Sequence, residues 1–482
     1  MAITETLYRN DLFIDGSWLP GSRAKRIDVV NPSDDTVITT VADASPEDAA
    51  SAVDAAAGVL ESWSAVPPRQ RAEILRRAFE LMTERAEELA QLISLENGKS
   101  LADARSEIGY AAEFFRWYSE EAVRILGEIS LAPAGANRIL VQHQPIGVCL
   151  LVTPWNFPAA MATRKIAPAL AAGCTTVLKP ATATPLTAYA IAEILAEAGV
   201  PAGVVNVITT SSTSEVINKL LHDPRVRKLS FTGSTEVGRV LLHEAADQVI
   251  KCSMELGGNA PFIVLADADL DKALEGVMVA KMRNGGQACT AANRIYVHSS
   301  LHDRFARMIA DRFASLVVGP GTDDQTQCGP LVDHASVNKV IDLIDDACDR
   351  GAQLLVGGSA PERAGSYCLP TVLANVPPES RLVAEEIFGP VAALIPFEDT
   401  ADAIAAANNT EYGLSAYVYS GDLANGLRVA EKLESGMVAV NRGLVSDPAA
   451  PFGGVKQSGL GREGAHHGML EFTEAKYIAV DW

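Results

Sequence analysis

The sequence contains no Cys-x-x-Cys pair. Its seven cysteines, Cys149, Cys174, Cys252, Cys289, Cys328, Cys348 and Cys368, are odd in number and scattered. That pattern excludes a disulfide framework and a paired-cysteine zinc site, so no metal is expected, and it fits a reducing cytoplasm. No apolar run reaches the ~18 residues of a membrane span. The opening Met-Ala-Ile-Thr-Glu-Thr has neither a basic nor an apolar region, so no signal peptide is expected. Repeats of ~20–50 residues and low-complexity linkers are absent. Positive charge is in deficit: 40 Lys and Arg face 60 Asp and Glu, a formal net charge of −20. An acidic chain is a poor partner for nucleic acid or anionic membrane. An anionic substrate approaching it needs local arginines to hold it.

What is present is an ordinary globular balance, 48% hydrophobic and 21% charged over 482 residues. That length predicts two large domains or about three smaller ones. Short strands are expected over 11–40, around a turn at Asp15-Gly16. Ser45-Pro46-Glu47-Asp48 opens a first helix with an N-cap, a proline and acids in the first turn. The apolar spacing predicts a long helix over 68–93, stopped at Asn97-Gly98, and another over 101–125. A hairpin follows over 129–144. From Gly147 onward short apolar strands alternate with helices in two successive blocks, and the linking stretch 319–390 is rich in glycine and proline. Such alternation predicts an α/β fold with parallel sheets covered on both faces, and ligands at the carboxyl ends of the strands. The last strand is expected over 477–480.

Several stretches stand at such strand ends. Arg283-Asn284-Gly285-Gly286-Gln287-Ala288-Cys289-Thr290 sets a thiol behind two glycines that allow close approach of a ligand. Phe231-Thr232-Gly233-Ser234 ends a strand and opens a helix, whose N-terminus suits a phosphate. Its glycine spacing matches neither the usual dinucleotide fingerprint nor the Walker loop. Trp155-Asn156-Phe157-Pro158 offers a rigidly set amide, Lys179-Pro180-Ala181-Thr182 a strand-end lysine, and Glu255-Leu256-Gly257-Gly258 a carboxylate beside glycines.

Together with Glu386-Ile387-Phe388-Gly389-Pro390 and Pro451-Phe452-Gly453-Gly454, these motifs resemble the aldehyde dehydrogenase superfamily over nearly the whole chain and in family order. The resemblance implies an aldehyde dehydrogenase-like fold with two Rossmann-like parallel-sheet domains. Residues 1–124 and 144–252 would bind the dinucleotide, 253–440 would form the catalytic domain, and 125–143 with 465–482 would make a homodimer or homotetramer. It further implies Cys289 as nucleophile, Glu255 as general base and Asn156, with the Cys289 N–H, as oxyanion donor. The cofactor would be held by Trp155, Asn156, Lys179, Pro180, Ala181, Thr182, Thr232, Gly233, Ser234, Leu256, Glu386 and Phe388.

Arg164, Arg283 and Ser446 resemble the succinate-semialdehyde dehydrogenase branch, in which such residues hold a distal carboxylate. Glutarate semialdehyde, one methylene longer, and a broad-specificity enzyme with structural arginines are the alternatives. Thr182 stands where NAD-using relatives often carry a glutamate, which predicts NADP over NAD. Ala291 stands where some relatives carry a second cysteine, so no disulfide switch at Cys289 is expected.

Overall fold

The structure, a computed structural model, describes residues 8–481. The opening stretch read for a signal peptide therefore lies outside the described residues up to Leu7. The chain builds two α/β units. In the first sheet, five parallel strands run in the order Lys251–Glu255, Val226–Thr232, Val148–Val152, Thr175–Lys179 and Val205–Val207. Antiparallel strands close both edges: Gly459–Leu460 on one side, Leu12–Ile14 with Ser17–Leu19 on the other. The turn in that edge hairpin places Asp15 and Gly16 at φ 52° and 72°, the pairing a tight hairpin favours. Side chains alternate strictly. Cys149, Leu151 and Leu178 enter the core on one face, and Val148, Leu150, Val152 and Val177 the core on the other.

The second sheet has six parallel strands, Thr371–Ala374, Val391–Phe397, Ala292–His298, Ala260–Val264, Ser415–Tyr419 and Met437–Val440, with Gln353–Val356 antiparallel at its edge. The strands Gln353–Val356 and Thr371–Ala374 lie in the glycine- and proline-rich segment 319–390, where no strand was expected. A third, antiparallel sheet joins Glu128–Leu131, Arg138–Pro145 and Thr473–Val480. Its last strand starts four residues earlier than expected.

Three other expectations are corrected. The helix over 68–93 is two, Pro68–Glu84 and Ala86–Asn97, because Arg85 leaves helical geometry at φ −100°, ψ 17°. The expected boundary at 252/253 falls inside the strand Lys251–Glu255, which lies wholly in the first sheet. Residues before the last strand also belong to the first unit, since Met469 and Phe472 are in its core. Among the described residues no helix is long and apolar enough to cross a membrane.

Chain order reverses between Val148–Val152 and Val226–Thr232, which puts a topological switch point at their carboxyl ends. Two helices begin there with proline and without a local side-chain cap: Pro158–Ala172 and Pro185–Glu197. Buried glutamates from elsewhere supply the caps. Glu107 accepts from the N–H of Ala159 at 2.9 Å and of Ala160 at 3.2 Å. Glu96 accepts from the N–H groups of Leu186 and Thr187, both at 2.9 Å. Each carboxylate faces the positive end of its helix.

Gly98 ends the helix Ala86–Asn97 in the left-handed region at φ 87°. A Cβ there would lie 2.6 Å from Pro330 Cγ and 2.7 Å from Pro32 Cγ, atoms of stiff rings. We expect Gly98→Ala to destabilise the fold by about 2–4 kcal/mol, from backbone strain and overpacking together. A thermal melt matching that of the parent would refute this.

Candidate active site

The parallel register places the functional side chains along one edge. Thr232 pairs with Glu255, Phe231 with Val152, and Val152 with Lys179, so all four strands end at one level. Just beyond them a cleft of ≈ 260 Å³ brings together Trp155, Asn156, Thr232, Gly233, Ser234 and Leu256 from the first unit. Glu386, Phe388 and Cys289 line it from the second. Pro180, Ala181 and Thr182 do not reach this cleft; with Lys179 they continue the neighbouring strand on the same edge. Ser336 and Lys339 also line the cleft, and no motif pointed to them. Lys339 Nζ donates to the Glu386 carbonyl at 2.8 Å.

A second cavity of ≈ 80 Å³ lies on the other side of Cys289. Arg164, Arg283 and Ser446 line it, with Tyr110 and Phe452. Cys289 is the one predicted site residue that borders both spaces.

The segment that carries the thiol folds tightly. Asn284, Gly285 and Gly286 all take positive φ, at 55°, 59° and 79°. A Cβ on Gly286 would clash with the Gly389 carbonyl, so only glycine lets this turn approach the segment that carries Phe388. Asn156 Nδ2 donates to the Gln287 carbonyl at 3.1 Å, which ties the amide to the thiol's own turn. Phe388 meets Trp155 edge to face, ring centroids 5.4 Å apart.

Electrostatics separate the charged groups into two kinds. Arg164 is 1% exposed and its Nε lies 2.5 Å from Glu463 Oε2. The N–H is not aimed at that oxygen, so the contact is one of charge rather than an aligned hydrogen bond. Lys165 reaches the other oxygen of Glu463 at 2.5 Å. The Arg164 guanidinium also stacks on Phe452, 4.3 Å from the ring centre. Burial opposes the charge on Glu463, but Arg164 and Lys165 prevail and hold it below the usual carboxylate range.

Glu255 is different. It is 2% exposed, and neither oxygen has a protein hydrogen-bond partner among the described residues. Burial, then the charge of Glu463, push it well above the usual range. Burial pushes the Cys289 thiol up to about 12; Arg164 pulls it down, while Glu386 and Glu255 push it further up. Burial likewise raises Glu386 to about 7, against the hydrogen bond it accepts from the Gly258 N–H at 3.2 Å. Lys179, with burial as its cause, is lowered to about 8.

A thiol set between a cleft bounded by Thr232, Ser234, Glu386 and Phe388 and a cavity lined by Arg164, Arg283 and Ser446, with Asp103 and Glu107, brings the sequence motifs together. The aldehyde dehydrogenase family model matches residues 18–478. The chain belongs to the aldehyde dehydrogenase family. A succinate-semialdehyde dehydrogenase of Paenarthrobacter nicotinovorans is 54% identical over 444 residues, 92% of this chain and 99% of that protein. A glutarate-semialdehyde dehydrogenase of Pseudomonas putida is 48% identical over 474 residues, 98% of each. A solved structure described as an E. coli NADP dependent enzyme superposes with a TM-score of 0.98 at 48% identity, covering 100% of both chains.

Membership of this family makes the titration of Cys289 testable directly. The thiolate is the reactive form, and its folded-state value is raised, so the thiol is protonated at neutral pH. Alkylation of Cys289 by iodoacetamide in the cofactor-free enzyme is expected to be slow at pH 7 and to accelerate up to about tenfold per pH unit through pH 9. A pH-independent rate, read by mass spectrometry of the Cys289 peptide, would show a thiolate already formed.

Proposed function

We propose that this protein oxidises succinate semialdehyde to succinate, with NADP as preferred cofactor and NAD as a possible one. The observation that carries this reading is the position of Cys289 at the junction of two cavities. One is bounded by Glu386 and Phe388, the other by two guanidinium groups and the Ser446 hydroxyl.

The residues present fit a dinucleotide in the larger cleft. The N-terminus of the helix Thr235–Ala246 opens on it, and Ser234 Oγ caps that helix by accepting from the Val237 N–H at 3.3 Å. The buried Thr232 hydroxyl has no protein partner among the described residues. A Cβ on Gly257 would lie 3.2 Å from Glu386 Oε2, crowding the carboxylate that would hold a ribose. Leu256 packs behind, Trp155 and Phe388 flank the nicotinamide end, and Lys179 to Thr182 take the adenosine ribose. When bound, the dinucleotide supplies a hydride acceptor.

The chain's own residues do the rest. Cys289 adds to the aldehyde carbon, forming a thiohemiacetal whose oxyanion takes donors from Asn156 Nδ2 and the Cys289 N–H. One preorganised donor of this kind contributes about 2.7–4 kcal/mol. After oxidation the acyl group is held on Cys289 as a thioester. Glu255, as carboxylate, takes a proton from the water that hydrolyses it. Arg164, Arg283 and Ser446, which line the small cavity, hold the distal carboxylate.

The first unit up to Glu255 is read as the dinucleotide-binding domain and the second as the catalytic domain. The three-stranded sheet is read as the element that makes a homodimer or homotetramer, supported by Ile129 and Tyr477, 71% and 58% exposed on it. Seven free cysteines support a cytoplasmic setting.

Two outcomes test this reading. Arg283→Ala is expected to raise KM for succinate semialdehyde about 30- to 100-fold, the worth of charge-assisted bonds, and to leave an uncharged aldehyde within about threefold. Equal losses on both would favour the broad-specificity alternative. Cofactor binding has its own pH signature. Lys179 is protonated below about 8 and must take up a proton to meet a 2′-phosphate above that. The Kd for NADP is therefore expected to rise above pH 8, by up to about tenfold per pH unit, while that for NAD stays flat. Parallel titrations showing the same slope for both cofactors would remove Lys179 from phosphate recognition.

A further inference from the structure

Asn97-Gly98 reads in the sequence as a helix stop, flanked by Glu96 and Lys99. In the fold this stretch reaches under the Trp155-Asn156 segment. Asn97 Nδ2 donates to the Trp155 carbonyl at 2.9 Å. Lys99 Nζ donates to the Asn156 carbonyl at 2.6 Å and to Glu107 Oε2 at 2.6 Å, and it lies 4.0 Å from the centre of the Phe157 ring. Lys99 is 1% exposed, and burial lowers its titration while Glu107 opposes that shift. On the opposite side, Asn284 Nδ2 donates to the same Asn156 carbonyl at 2.8 Å, and the Asn284 N–H is itself held by Asp103 Oδ2 at 3.0 Å.

We propose that Lys99 is a positioning residue, which sets the direction of the Asn156 carboxamide by holding that residue's main-chain carbonyl. The Asn156 carbonyl has two lone pairs, and Lys99 and Asn284 occupy both. The peptide plane after Asn156 is then fixed from two sides, and with it the Cα–Cβ direction that aims the amide. Glu107 joins this to the next element, because its other oxygen caps the helix Pro158–Ala172. Lys99 itself lines neither cavity. Its partners Glu107 and Phe157 line the small one, so the test reads KM for the aldehyde separately from kcat. Both the addition and the hydrolysis steps pass through an oxyanion, so a misdirected amide slows both. A placement error of about 1 Å is enough for a loss of about 10²-fold.

The proposal rests on Asn156 being the oxyanion donor, and a double-mutant cycle keeps the two apart. Lys99→Met, Asn156→Ala and the double variant are compared with the parent, using succinate semialdehyde and NADP. Lys99→Met is expected to lower kcat by about 10²-fold while KM for the aldehyde and Kd for NADP stay within about threefold. The double variant is expected to be no slower than Asn156→Ala alone, within about twofold. Multiplied losses in the double variant, or a Lys99→Met enzyme with parental kcat, overturn the proposal. A small loss in Asn156→Ala alone removes the oxyanion role, and the proposal with it. Lys99→Met leaves Glu107 buried without its cation, which threatens folding. The pair change Lys99→Met with Glu107→Gln leaves no unpaired charge and carries the same cycle if the single variant does not fold.

Discussion

Exclusion of water from the edge where the two sheets meet governs the site. A charge moved there is stable only with an opposite charge beside it; otherwise it shifts toward its neutral form. Both outcomes are present within a few residues of each other. Lys99 with Glu107, and Arg164 and Lys165 with Glu463, are ion pairs at 2.5–2.6 Å. Glu255 and Cys289 have no such partner, and burial pushes both up. The division is also one of task. Paired groups hold the geometry, although burial lowers Lys99 and Lys165 against the pull of Glu107 and Glu463. Unpaired groups sit close to neutrality, where a proton can be gained or lost during turnover.

The same dryness explains why the site is drawn from distant parts of the chain. Most buried polar atoms find a partner, and a loop rarely supplies its own. The helices Pro158–Ala172 and Pro185–Glu197 begin at the reaction edge with proline, which suits a first helical turn but brings no capping oxygen. Glu107 and Glu96, on neighbouring helices, provide it. Those caps fix where the helices start, and hence where Asn156 and the Lys179–Thr182 turn end up.

Parallel strands were readable because short apolar runs between helical patterns have few other interpretations, and strand ends then located Asn156, Thr232 and Glu255. The nucleophile was readable from its glycines and its motif companions. What was not readable depends on contacts far apart in sequence. Nothing local at Arg85 marks a break, since its neighbours continue the helical spacing on both sides. The strand Thr371–Ala374 is short, and it is secured by the parallel strand Val391–Phe397 and the antiparallel Gln353–Val356 rather than by a pattern of its own. Lys99 follows a glycine stop and carries no local sign of burial. Its partner is a carbonyl 57 residues away, and carbonyls leave no trace in a sequence. Glu463 was missed for a related reason: a glutamate between Arg462 and Gly464 gives no sign that it faces two buried cations.

The two arginines of the small cavity are not equivalent, and the difference bears on how a distal carboxylate is recognised. Arg164 already faces Glu463 and stacks on Phe452, so its orientation is set before any ligand arrives, but much of its charge is answered. Arg283 is only partly buried. It has one long contact to Thr290 Oγ1 at 3.4 Å and lies 5.0 Å from the Phe157 ring centre. An incoming carboxylate therefore meets a rigid cation already facing Glu463 on one side and a freer one, near Asp103 but with no ion pair to it among the described residues, on the other. The rigid partner contributes orientation at little further entropic cost, and the freer one contributes most of the net attraction. Discrimination between charged and uncharged aldehydes then rests chiefly on Arg283, which belongs to the same turn as Cys289. The turn that attacks the aldehyde thus also senses the charge at the far end of its chain.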